Sequence, residues 1–139
     1  MTITKATWTS LRQNRGALNV VATTTAPLGA DGLPPPGLQL YVQATATIAM
    51  LVPDAFGYLS YQMTEVQMAA TPLPMFFAPT GNPAVCPAGV DRCWQFVTRG
   101  ALVDPSQVGV FIPPDTVTVT SSFGGSSVGT QYNGVIQVR

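Results

Sequence analysis

At 139 residues the chain is long enough for one domain with a buried core. Six basic and six acidic residues cancel, charged residues make up only 9% of the chain, and histidine is absent. A typical domain carries about 25% charge; with no basic excess to neutralise phosphates no nucleic-acid partner is expected, and without histidine a Ser-His-Asp triad and a His-ligated metal are excluded.

Polarity comes from neutral groups: 17 Thr, 9 Gln, 7 Ser and 4 Asn. Val (16) far outnumbers Ile (4), and Gly and Pro contribute 13 each. β-Branched residues favour strands, and frequent Gly and Pro mean frequent turns. A surface near zero net charge favours association. Arg outnumbers Lys five to one, which suits either an interface or a GC-rich genome.

In chain order, Thr2 to Leu11 reads as a strand or an arm. Ala6, Trp8 and Ser10 fall on one face, Ile3 and Lys5 on the other. Arg12 to Gly16 is a polar turn, and Ala17 to Thr25 a β-branched strand. Ala26 to Gly37 is a loop ending in Pro34-Pro35-Pro36. Leu38 to Met50 alternates apolar and polar residues throughout, the clearest strand in the chain. A turn follows at Val52 to Gly57. Tyr58 to Ala70 fits helical spacing through Leu59, Met63, Val66 and Ala70. It also fits two strand phases joined by a bulge, and the neighbouring strands favour the latter.

Leu73 to Phe77 is apolar but interrupted by Pro74, an edge strand or an anchor. Ala78 to Arg92 reads as a loop, Cys93 to Arg99 as a strand with Trp94 and Phe96 on one face, and Val108 to Ile112 as a short strand. Thr116 to Ser122 alternates, with Val117 and Val119 facing inward. Phe123 to Gly129 reads as a flexible loop. Asn133-Gly134 is a two-residue hairpin signal that places Tyr132 opposite Val135 and Gln131 opposite Ile136. The expectation is an all-β, single-domain sandwich over residues 1–139, jelly-roll or Greek-key, of about eight strands, with a candidate N-terminal arm at residues 1–16.

Chemistry-bearing motifs are few. Gly125-Ser126-Ser127-Val128-Gly129 matches the G-x-S-x-G spelling, but that elbow needs a strand-to-helix turn and a histidine. Asp115-Thr116 opens a strand after Pro113-Pro114 as a turn residue does. The acidic residues do not cluster, and Glu65 is the only Glu. No catalytic, cofactor-binding or metal-binding residue is therefore assigned, and the chain is expected not to be an enzyme. Cys86 and Cys93 flank a loop short enough to be closed by a disulfide, worth ~2–3 kcal/mol; two reduced thiols are the alternative. No secretion signal opens the sequence, and the longest apolar run, Ile48 to Val52, is too short to span a bilayer. No membrane partner is expected.

In size, expected architecture and composition, the whole chain resembles the cement or decoration proteins of tailed-bacteriophage heads. Some of those are small jelly-roll proteins that bind as oligomers on the capsid shell. The resemblance implies a structural virion protein at the capsid surface, assembled in the host cytoplasm. Its partners would be the major capsid protein and further copies of itself, as homodimer or homotrimer, and its role would be to clamp neighbouring capsomers. Ile3, Trp8, Arg12 and Arg15 of the arm, with Met75, Phe76 and Phe77, are the candidate contact residues. A glycan-binding adhesin or tail-tip module, using Tyr41, Tyr58, Tyr61, Trp8 and Trp94, is the alternative. Another tail or connector component is a third reading.

Overall fold

The computed structural model describes residues 1–11, 15–26, 29–30, 33–78, 93–99, 102 and 112–139, with backbone alone for Leu11, Arg15 and Arg99. Ten strands lie within these residues: β1 Thr2–Leu11, β2 Arg15–Thr23, β3 Leu40–Pro53, β4 Leu59–Gln67, β5 Leu73–Pro74, β6 Phe76–Ala78, β7 Cys93–Arg99, β8 Thr116–Ser121, β9 Ser126–Thr130 and β10 Ile136–Val138. Among the described residues no helix is long and apolar enough to cross a membrane.

One sheet has the order β10-β1-β2-β7-β6, the other β4-β3-β8-β9, with β5 also on β3. Leaving out β10, this is A-B-E-D against C′-C-F-G, the Greek-key order of immunoglobulin-type sandwiches rather than a jelly roll. Such an order specifies no function by itself. The core lies between the sheets. Leu18, Val20 and Ala22 of β2 share it with Leu40, Val42, Ala44 and Ala46 of β3 and with Val117 and Val119 of β8.

Residues 1–11 do not form an arm. β1 is an interior strand, paired antiparallel to β2 and parallel to β10. Its register shifts between Ile3 and Lys5. That bulge inserts one residue and reverses the alternation, so Ile3 joins Ala6 and Trp8 on the buried face. Simple period-2 counting put them on opposite faces. The Trp8 indole lies directly over Gly16, where a Cβ would have no room. Its N–H is buried with no hydrogen-bond partner.

The segment after β4 changes sheets. β5 pairs with β3, β6 pairs with β7, and Met75 between them is buried. Gln39 Nε2 donates to Met75 O at 2.6 Å, and Met75 N donates to Leu40 O at 2.8 Å. Phe77 meets Trp94 edge-to-face, with ring centroids 5.7 Å apart.

The expected hairpin at Asn133-Gly134 does not form, although the turn does. Asn133 Oδ1 accepts from Thr130 N and Val135 N, and Gly134 has φ of 78°. This local knot sends the chain out of one sheet and into the other. A Cβ on Gly129 would collide with Val135, so glycine there leaves space for the crossing. The segment expected as a flexible loop, 123–129, contributes most of β9 from Ser126 onward. The strand expected at Val108 to Ile112 lies outside the described residues except for Ile112, which packs against the core.

Trp8→Ala should lower the unfolding free energy by about 3–5 kcal/mol, as large aromatic truncations in cores do. Equilibrium denaturation measures this, and a loss below 1 kcal/mol would contradict the buried placement. Gly129→Val should likewise destabilise, because it blocks the path of Val135 between the sheets.

Candidate functional site

Burial along β3 and β4 locates the site. Even-numbered β3 residues are buried through Ala46, but no residue from Thr47 to Pro74 is buried. The β3–β4 hairpin therefore extends past the core by about 20 Å, at ~3.4 Å per residue from Thr47 to Pro53. Tyr58 to Ala70 is resolved as a strand over Leu59–Gln67, and its register is continuous from Pro53↔Leu59 to Thr45↔Gln67. No bulge switches its phase. Val66 faces inward, while Leu59, Tyr61 and Met63 face outward opposite Pro53, Leu51 and Ala49. Those pairs make an apolar stripe on the outer surface of a sheet whose neighbouring outer pairs are Thr and Gln, such as Gln43↔Thr118 and Thr45↔Thr116.

The tip is ordered by its own hydrogen bonds. Asp54 Oδ1 accepts from Phe56 N at 2.8 Å and from Tyr58 N at 2.9 Å. Asp54 N donates to Tyr58 O, and Gly57 N donates to Asp54 O. Gly57 has φ of 82°, which a side chain would strain. The turn holds Phe56 86% exposed and Tyr58 74% exposed. At the base, Gln43 fastens the outgoing chain, donating to Ala69 O at 2.7 Å and accepting from Ala69 N. Phe56 and Tyr58 are thus large apolar residues held in water by a hydrogen-bonded turn, which makes the tip the candidate contact site.

The contact residues expected from sequence fall differently. Ile3, Trp8 and Met75 are core residues, because the β1 bulge and the sheet crossing at Met75 turn them inward. Phe77 is half-buried against that core, and only Phe76 is exposed. Arg12 lies outside the described residues, and Arg15 is described by its backbone in β2 alone. Trp94 is buried and Tyr41 is near the margin of exposure, leaving Tyr58 and Tyr61 as the free rings of the expected aromatic platform. Sequence reasoning passed over Leu51, Phe56 and Leu59 as a site. The available signal was that apolar residues occupy both phases of 48–63, more than one core face can take.

The polar groups serve structure. Asp115 Oδ2 accepts from Thr47 N at 2.7 Å, and Ser127 Oγ accepts from Ile3 N across the sheets at 3.3 Å. Gly125 to Gly129 thus runs from a turn into β9 and has no elbow. Cys93 is disulfide-bonded and sits with Val21 and Ala78 in a small second core; Cys86, the chain's other cysteine, lies outside the described residues. No group of three His, Cys, Asp or Glu suited to a metal occurs among the described residues. Open grooves occur among the described residues. One of about 540 Å³ lies along β1 and β10 beside Lys5, Gln137 and Arg139. Another of about 280 Å³ lies beside Met1, Leu38 and Phe123.

No family model matches the sequence. No curated protein matches it, and no solved structure matches its fold.

Replacing Asp54 with Ala should release the tip. Hydrogen exchange at the Phe56 and Tyr58 amides should accelerate at least about tenfold, while global stability falls by about 1 kcal/mol, the usual worth of one such anchor. Unchanged exchange would show that the tip is ordered by something other than Asp54.

Proposed function

We propose that this chain is a non-catalytic structural protein that docks on an assembled particle through its β3–β4 hairpin. The observation that carries the reading is the rigid tip holding Phe56 and Tyr58 in water, continuous with the outer stripe of Leu51, Leu59, Tyr61 and Met63. A docking role needs contact area and anchors, and aromatic anchors at the centre of a patch carry most of the energy of such contacts. The neutral Thr- and Gln-rich sheet around the stripe supplies a polar rim that salt screens little. Two of the three described side-chain carboxylates, Asp54 and Asp115, are engaged in holding backbone on separate parts of the fold.

The resemblance to phage decoration proteins supplies the particle: a tailed-phage head, with the major capsid protein beneath the hairpin and the chain at the virion surface. Repetition over a lattice would turn modest single contacts into avidity. A glycan-binding module is the second reading, favoured by the exposure of Tyr58 and Tyr61.

Co-sedimentation with heads assembled by the genome that encodes the chain tests the first reading. Phe56→Ala should weaken binding by about 2 kcal/mol or more, the loss typical of an anchor residue, and leave the melting temperature within ~1 °C of the parent. Binding unaffected by Phe56→Ala, or no binding to heads, would refute it. Saturable glycan binding that is lost with Tyr61→Ala would establish the second reading instead.

A further inference from the structure

We infer that the free edge of β4 pairs with β4 of a second copy, antiparallel about a two-fold axis at Met63, so that the two hairpins form one four-stranded sheet. This rests on reading the hairpin as the contact element, and it names a partner for the hairpin's open side.

Among the described residues β4 is bonded on one side only, to β3. In an antiparallel pair, alternate residues direct both backbone groups to the partner and the others direct them away. Asp54 N bonds Tyr58 O before the strand, and Met68 N bonds Ala44 O after it. Counting inward from either bond, Leu59, Tyr61, Met63, Glu65 and Gln67 turn their N–H and C=O groups outward. The edge therefore offers five donors and five acceptors in an unbroken row.

Natural sheets blunt such edges with proline, lysine, bulges or short strands. The outermost β6 and β10 are three residues each, and β9 is five with a glycine in it. β4 has nine residues, no proline, no basic residue and no register break. Its one charge is Glu65, and it is the one long edge among the described strands without a proline, a lysine, a bulge or shortening.

Its sequence suits itself. A two-fold axis at Met63 sets Tyr61 opposite Glu65 of the other copy and Leu59 opposite Gln67, so the two Glu65 carboxylates do not face each other. The two Glu65 carboxylates stand four residues, about 13 Å, apart along the strands, beyond the ~8 Å screening length at physiological salt. Each outward residue then exchanges both backbone bonds with its opposite number, and the two apolar stripes join. Leu59, Tyr61 and Met63 are each more than half exposed along this edge, so pairing covers the backbone row and the flanks of these side chains, while the joined outer face stays open for docking.

Solution mass by light scattering over a hundredfold concentration range, on the full chain, tests the pairing. The parent should be a dimer. Met63→Lys places like charges across the axis at an exposed position, and should weaken the dimer about tenfold or more while the circular dichroism spectrum stays that of the parent. Met63→Cys should cross-link to itself under mild oxidation, because residues exchanging both bonds lie about 5.5 Å apart between Cα atoms. Tyr61→Cys should not, since the two copies of that residue stand about 13 Å apart along the strands. A parent that is monomeric at every concentration, a Met63→Lys protein that still dimerises, or equal cross-linking of both cysteine variants would overturn the pairing. A monomer whose head binding is lost with Met63→Lys would assign the edge to a strand of the particle instead. A dimer that ignores Phe56→Ala when tested on heads would refute the docking reading while leaving the pairing intact.

Discussion

Leu40, Val42, Ala44 and Ala46 of β3, packed in one core with β2 and β8, are the contact on which the rest of the molecule depends. Burying such a row removes apolar surface from water at about 25 cal/mol per Å², and it fixes which face of β3 points inward. Once that face is set, strand alternation carries the same assignment to every later residue. β3 runs on for seven residues after Ala46; there its inward residues Ile48, Met50 and Val52 are only half-buried, while Leu51 keeps to the outer face with Leu59, Tyr61 and Met63. The exposed stripe and the buried core thus lie on opposite faces of one register.

The hairpin is built to stand without the core. Asp54 closes its tip and Gln43 its base, both through bonds to backbone rather than through packing. Rigid anchors lose little entropy on binding, which is what makes a preorganised aromatic tip effective. A core truncation and a tip truncation should therefore affect different properties of the same protein, one its stability and the other its contacts.

The strands were largely legible in the sequence because side-chain alternation reports directly on burial. Leu38 to Met50, Val117 with Val119, and Trp94 with Phe96 all face as their spacing implies. Three features were not legible. The bulge after Ile3 shifts phase without any Gly or Pro to mark it, which hid Ile3 and Trp8 in an apparent arm. Met75 lies where the chain leaves one sheet for the other, and only the three-dimensional order reveals that its apolar run is a crossing. Asn133-Gly134 has the chemistry of a tight turn, but local chemistry does not say whether the strands it joins stay in one sheet. The hairpin site was missed for a related reason: apolar residues in both phases of a strand read as core until the extent of the facing sheet is known.

The parallel pairing of β1 with β10 joins residues 130 positions apart, Ala6 with Ile136. Contacts of such long separation form late and slow the folding of all-β chains. During synthesis, β1 can already meet β2, but its other side stays open until residues 136–138 leave the ribosome. For that interval the nascent chain has a second uncovered strand edge besides β4. Until the seam closes, the open side of β1 is a place where neighbouring nascent chains can pair with this one.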